Sequence, residues 1–296
     1  MLANFTLRLG LAPRFNSYAG LIIVGFFLLV ALLSLVYTPY DPVETNLLAK
    51  LKPPSATHWF GTDPFGRDTL SRVMAGAAVS VSISLGSVFF ALVIGSTLGI
   101  ISGYFGGWLD RVITMLNDAV MAFPGLLLAL GLMAVIGPSR IGVVLALSLS
   151  YAPSMLRVAR SSTLSIKERE FVTASIAMGN NTAWTIVRHV VPHCIAPLLV
   201  LATGLFGSAL LAESALSFLG LGVPPPAPTW GGMLADSRQL MDRAIWLAIF
   251  PGLAISFALL GLNLLGDAVR DALDPRMRGT APTQATSAGG LKPVTP

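Results

Sequence analysis

Long runs of apolar residues alternate with short polar stretches along this chain of 296 residues. The first run extends from Tyr18 to Tyr37, the length an α-helix needs to cross a bilayer. Further runs at 76–103, 109–136, 141–163, 194–221 and 245–269 complete a prediction of six transmembrane helices in an all-α protein. The first run is not a secretory signal: it is longer than a signal's apolar region, and "SLVYTPYDP" follows it without a small-residue cleavage site. Small residues are dense in 76–103, which suits close packing in lipid, where apolar surface alone does not drive association. Pro124 lies inside the third run and should bend it, either as a packing kink or as a gating hinge.

Composition agrees with this pattern. Hydrophobic residues make up 54% of the chain and charged residues 11%, against about a quarter charged in soluble domains, and the mean hydropathy is +0.76. The net charge of +5 does not mark a nucleic-acid binder, because the basic residues sit between apolar runs rather than on one face. They do set an orientation. Twelve of the 19 Lys and Arg, from Arg8 and Arg14 to Lys292, fall in segments on the side of the N-terminus, which predicts both termini in the cytoplasm. Trp59, Trp230 and Trp246 fall near run ends, where aromatic belts sit. A single cysteine, Cys194, excludes a disulfide framework and a paired-cysteine metal site, and reads as a packing residue. The organisation expected is a cytoplasmic N-terminus at 1–17, a six-helix domain at 18–278 and a disordered cytoplasmic tail at 279–296.

Three polar segments stand out within the helical domain. Two face outward, at 38–75 and 222–244; the third, 164–193, faces the cytoplasm. In the third, "SIKEREFVTASIAMG" has helical spacing, Gly179-Asn180-Asn181 forms a break, and "TAWTIVRHVV" leads to Pro192, which should end that second helix. A short helix, a sharp turn and a second helix returning to the membrane make a lever that a partner can grip. Small residues at Ala174, Ser175 and Gly179 allow close approach, and Arg169, Glu170 and Arg188 can fix orientation. The bland alternative is an interfacial helix without a partner.

This layout resembles the coupling loop of ATP-binding-cassette importer permeases, whose pattern is Glu-Ala-Ala, three residues, Gly, nine residues, Ile-x-Leu-Pro. Here Thr173-Ala174-Ser175, Gly179 and His189-Val190-Val191-Pro192 keep the whole spacing, while Thr173, Ser175, His189 and Val191 depart from the family's identities. "HWFGTDPFGRDTLSRVMAGAAVS", "SFLGLGVPPPAPTWGGML" and "NLLGDAVRDALDP" are similar to motifs of the dipeptide, oligopeptide and nickel permease subfamily, in its second, shorter permease. The resemblance implies the type I importer permease fold in a bacterial inner membrane. It implies a heterodimer with a second homologous permease, two ATPase subunits and an extracytoplasmic substrate-binding protein, with lipid around the helices and no nucleic acid. It also implies that Arg169, Glu170, Thr173, Ala174, Ser175, Met178, Gly179 and Pro192 contact the ATPase. The chain has no phosphate loop, so no cofactor is expected on it; ATP and magnesium belong to the partners. The cargo implied is a di- or oligopeptide, with nickel chelates or glutathione as alternatives.

Charged residues within apolar runs are candidates for function. Glu213 reads equally as a residue lining the passage or as a structural hydrogen bond between helices. Asp118 is the second pathway candidate and reads better as structural. Asp267 is expected to meet Arg270 or cap the cytoplasmic end. Asp63, Arg67 and Asp68 form either a local salt-bridged turn or, with Asp236 and Arg238, docking contacts for the binding protein. His58 and the pair His189/His193 fall on opposite sides, and Pro192 interrupts the pair, so no metal site is expected. Two other classes remain: an intramembrane protease, for which no GxSxG or HExxH pattern is present, and an ion-coupled transporter using Glu213 and Asp118.

Overall fold

The computed structural model describes residues 15–273. The expected tail at 279–296, and most of the expected N-terminal segment 1–17, lie outside the described residues. The described chain is helical: α1 (Phe15–Leu33), α2 (Thr69–Phe105), α3 (Gly107–Met121), α4 (Gly125–Ile136), α5 (Arg140–Lys167), α6 (Glu170–Ala177), α7 (Thr182–Thr185), α8 (Val191–Phe218), α9 (Trp230–Ser237) and α10 (Trp246–Leu273).

Among the described residues, four continuous helices are long and apolar enough to cross a membrane: α2, α5, α10, and the 37-residue run Thr182–Phe218. That run joins α7 to α8 through a π turn at Ile186–Val190. A fifth span exists if α3 and α4 count as one; α1 is apolar but shorter. The third predicted span is thus two helices meeting at 89° rather than one bent helix. Pro124 is the cause. It has no N–H to donate and disfavours helical backbone at the residue before it, and it stands in extended conformation (φ −56°, ψ 128°) as the N-cap of α4.

Pro192 behaves differently from expectation. It does not end the helix but sits in the first turn of α8. The π turn brings the Val191 N–H to the Ile186 carbonyl, and the wider ring absorbs the ladder bond that proline cannot make.

The most extensive helix pair is α2 against α5. Gly95, Gly99 and Gly103, one per turn, face the carbonyls of Ala152, Leu156 and Arg160, and a Cβ on any of the three would run into α5. The backbones therefore lie closer than any side chain permits, the small-residue packing that membrane helices use. Ser148 adds a bond from its hydroxyl to the Ser87 carbonyl, 3.1 Å.

Segments 38–68 and α9 cover the N-terminal end of α2, and 164–193 packs at its C-terminal end, about 55 Å away by helix rise. At the first end Trp230 is fully buried. Its indole N–H donates to the Val73 carbonyl at 2.9 Å and its ring meets Phe27 edge-on, so it is a core anchor rather than a belt residue. Trp59, by contrast, is exposed.

Replacing Gly99 with Leu should force α2 and α5 apart. A loss of about 1–3 kcal/mol of stability, the usual cost of overpacking, is expected as a lower unfolding midpoint of the detergent-solubilised protein. An unchanged midpoint would show that the close approach is dispensable.

Candidate functional site

The segment at 164–193 is built as a rigid elbow. α6 starts after Arg169 and ends at Met178, where Gly179 takes φ +83°, a left-handed turn that glycine adopts without steric cost. Asn181 then caps α7, its side chain accepting from the Trp184 N–H at 2.7 Å. Val172 is fully buried among Ile166, Val190 and Cys194. Ser175 and Thr185 share a buried hydroxyl–hydroxyl bond of 3.0 Å, and the Asn180 amide donates to Ser175 at 3.3 Å. Phe171 stacks on His193, with ring centroids 4.9 Å apart, and also approaches His189. Lys167 reaches back to donate to the Tyr104 carbonyl at 2.6 Å, fastening the elbow to the last turn of α2.

These contacts sort the expected residues. Arg169, Glu170, Thr173, Ala174, Met178 and Gly179 are exposed and contiguous in sequence order around α6. Ser175 is not among them. It is buried, and its hydroxyl closes the elbow from within, so it cannot offer a partner close approach. Pro192 is exposed on the first turn of α8, beyond the π turn. Beside Met178 (74% exposed), exposed apolar side chains not among the expected residues complete the surface: Ile176 (55%), Trp184 and Val187. A hydrophobic cluster on a polar segment is the signal that marks them in the sequence.

Next to the elbow, Arg160 grips Asp110 with two bonds of 2.6 Å, and Ser102 also donates to Asp110. This bidentate pair joins α3 to α5 beneath the glycine contacts. Asp118 is exposed beside Arg157 at 3.4 Å, and both line a cavity of about 390 Å³ with Thr114, Asn117 and Arg160. Asp118 thus lies on an open, polar face and meets α5 through Arg157. Asp267 and Arg270 both line a larger, mostly apolar groove of about 760 Å³ between α5, α8 and α10.

Glu213 has the opposite fate. It is fully buried between α2, α8 and α9, and it accepts the Ser217 hydroxyl at 2.8 Å. The carboxyl is enclosed, and the bond it accepts comes from its own helix, four residues on.

At the other end of α2, three of the expected docking residues are turned inward. Asp63 accepts from the Arg67 side chain (2.6 Å) and from the backbone N–H groups of Phe65 and Arg67. Arg72 lies 3.6 Å from Asp63 and donates to the Pro42 carbonyl. Asp68 caps α2 through the Ser71 N–H and hydroxyl, both at 2.8 Å, and pairs with His58 at 2.9 Å. Asp63, Arg67 and Asp68 are all buried, so their charges are spent within the fold. The local salt-bridged turn thus describes Asp63 and Arg67, while Asp68 is a helix cap. Asp236 and Arg238 are exposed. Asp236 lines a cavity of about 310 Å³ with Asp63 and Arg72. Arg238 donates to the Phe218 carbonyl at 2.6 Å, with its guanidinium 3.7 Å above the Phe218 ring.

Among the described residues, no group of three or more His, Cys, Asp or Glu is placed to hold a metal ion. An elbow of this kind, on an all-helical membrane bundle, defines a multi-pass membrane protein that presents a rigid handle. Residues 95–279 match the family described as binding-protein-dependent transport system inner membrane component. The chain is 44% identical to the dipeptide transport system permease protein DppC of Alkalihalophilus pseudofirmus, over 88% of this chain and 86% of that one. It is 41% identical to the di/tripeptide transport system permease protein DppC of Pseudomonas aeruginosa, over 90% of each. It is 38% identical to the glutathione transport system permease protein GsiD of Pectobacterium atrosepticum, over 90% of each. In fold it is similar to a chain of the MetNI methionine ABC transporter, with a TM-score of 0.56 at 17% identity, covering 69% of this chain and 96% of that one. The chain belongs to the family of binding-protein-dependent transport system inner membrane components. It is a permease subunit, the non-catalytic part of a transporter whose ATP hydrolysis is done elsewhere.

Replacing Ser175 with Val should leave Thr185 and Asn180 facing an apolar group in the interior. A cost of about 1–3 kcal/mol for the unsatisfied groups is expected to loosen the elbow, read as faster limited proteolysis within 164–193. Cleavage at the wild-type rate would remove the internal-strut role.

Proposed function

We propose that the chain is one of two different permeases of an ATP-driven importer for di- and oligopeptides in the bacterial inner membrane. In this reading six helical passes cross the membrane, both termini and the elbow lie in the cytoplasm, and the cap formed by 38–68 and α9 faces outward. The excess of Lys and Arg on the elbow side supports that orientation. Each permease offers its elbow to one of two ATPase subunits, which bind ATP and magnesium.

The rigidity of the elbow carries the proposal. α6 is fixed from within by Val172 and the Ser175–Thr185 bond, while Glu170, Thr173, Ala174, Ile176 and Met178 face away from the bundle. A push on that outer face moves α5 and α8 together, because the elbow has no internal slack. Arg169, Gly179 and Pro192 act through geometry and charge at its margins. At the cap, Asp236 and Arg238 offer exposed charge to an extracytoplasmic binding protein, on a surface shaped by the buried Asp63–Arg67–Arg72 cluster and the Asp68 cap. Asp118 and Arg157 supply polar groups to an open face suited to the translocation pathway.

Peptide is the cargo favoured by relatives at 44% and 41% identity, whose names specify dipeptides and di/tripeptides. Glutathione, itself a modified tripeptide, is the second reading, supported by relatives at 38% identity. An ion-coupled transporter would have no use for the elbow.

Replacing Ala174 with Trp adds bulk to the outer face of α6 without touching the interior. Peptide uptake in cells should fall by at least ~10-fold, about 1.4 kcal/mol in coupling, at an unchanged level of protein in the membrane. Wild-type uptake would reject the coupling role. Uptake that persists after ATP depletion but collapses with the proton gradient would reject the ATP-driven reading altogether.

A further inference from the structure

The groove of about 760 Å³ between α8 and α10, backed by Val158 of α5, is unequal along its length. Its deeper part is apolar, with walls from Val200, Leu201, Gly204 and Leu262. Thr203 also lines it, but its hydroxyl is spent on the Val200 carbonyl at 2.8 Å. The charges gather at the other end. Asn263, Asp267 and Arg270 are spaced i, i+4 and i+7 along α10, so they share one face of that helix. All three are exposed, as are Pro197 and Gly204 opposite, so the groove opens on the outside of the chain.

Depth separates the two parts. α10 starts at Trp246, whose indole N–H donates to the Thr62 carbonyl of the cap at 3.2 Å. Asp267 and Arg270 lie about 32 and 36 Å further along the axis by helix rise. The hydrocarbon of a bilayer is about 30 Å thick, so both charges stand at headgroup level on the elbow side. The apolar walls stand within the hydrocarbon.

Among the described residues, the side chains of Asp267 and Arg270 pair neither with each other nor with any other group. The charges nearby are committed elsewhere. Asp271 is already engaged, and His193 in the first turn of α8 bonds to the His189 carbonyl at 2.6 Å. On α5, Arg157 meets Asp118 and Arg160 grips Asp110. The groove therefore presents one acid and one base, a single turn apart, at the mouth of an apolar slot. A solute passage would need polar groups along its whole length, and an apolar helix laid here would bury both charges unpaired.

We propose that this groove holds one phospholipid with a primary-ammonium headgroup, an ethanolamine lipid. Its phosphate meets Arg270, its ammonium meets Asp267, and an acyl chain follows the seam between α8 and α10. In such a headgroup the anion and cation are joined by two carbons, a span that suits side chains three residues apart on a helix. A choline headgroup has no N–H to donate to Asp267, and a glycerol headgroup has no cation. The inference stands apart from which solute is carried and from how the ATPase couples.

The test uses the complete transporter, stripped of lipid in mild detergent. It is titrated with ethanolamine, choline and glycerol phospholipids of identical acyl chains, and bound lipids are counted by native mass spectrometry. Wild type should bind one ethanolamine lipid per copy of this chain at least ~10-fold more tightly than the other two, the scale of one charge-assisted hydrogen bond. D267N should bring the ethanolamine lipid within about twofold of the choline lipid, whereas R270Q should weaken all three by roughly tenfold, because all carry the phosphate. Gly204 has open space around it, so G204F fills the slot without touching either charge and should remove this binding event for every headgroup. Equal binding of the three lipids by wild type overturns the proposal, as does an ethanolamine preference that survives both D267N and G204F. So does release of the second permease by G204F with the lipid count unchanged, which would make the groove a contact between subunits. A failed peptide assignment would leave the lipid counts untouched.

Discussion

The contact between α2 and α5 is the constraint on which the rest of the molecule depends. Three glycines one turn apart press against three carbonyls one turn apart, so the helices register along their length. In lipid, apolar surface gains little by leaving one hydrocarbon environment for another, and close backbone contact has to supply the attraction. The fit also makes the pair stiff, because neither backbone can slide without a carbonyl meeting a Cα. The Ser148–Ser87 bond reinforces the seam midway, and the Asp110–Arg160 pair locks its far end to α3.

That stiff pair connects two differently built ends. At the elbow, an apolar plug at Val172 and a hydroxyl bridge between Ser175 and Thr185 hold a short helix that could not persist alone in water. At the cap, a buried ionic cluster and the Trp230 anchor hold irregular backbone against the end of the bundle. Backbone outside regular helix must find partners for its N–H and C=O groups. The cap meets this demand with Asp63 and Asp68, which accept backbone N–H bonds as well as pairing with basic side chains. Charged residues that look available for docking in the sequence are thereby consumed as architecture.

The linear sequence carried the helical runs well, because a bilayer demands a fixed length of apolar chain and tolerates few alternatives. It located the turn at Gly179, the break at Pro124 and the spacing of the elbow. It did not give the angle at Pro124: a proline states that the ladder is interrupted, while the direction of the next helix depends on what it packs against, here α5. It misread Pro192, because a π turn upstream can absorb a proline and leaves no obvious trace in composition. The outer face of α6 was legible in part. Ala174, Met178 and Glu170 were implied by the resemblance of the loop to a coupling loop, but Ser175 looked like a contact residue until its bond to Thr185, ten positions later, turned it inward.

By itself, then, the sequence determined the class of environment, the number and order of apolar runs, the orientation favoured by its basic residues, and the presence of a gapped elbow between two of them. Each of these rests on local composition or on spacing within one helix, which neighbouring residues settle among themselves. The tertiary structure alone decided which charges are buried, which serines close the elbow, and that Glu213 is enclosed while Asp118 lies on an open face. Those outcomes depend on contacts between residues distant in the chain, such as Trp230 on Val73 and Arg160 on Asp110, and no periodicity encodes such a contact. The charge of a side chain is written in the sequence; whether it faces a cation, a hydroxyl or open space is fixed only when the helices meet.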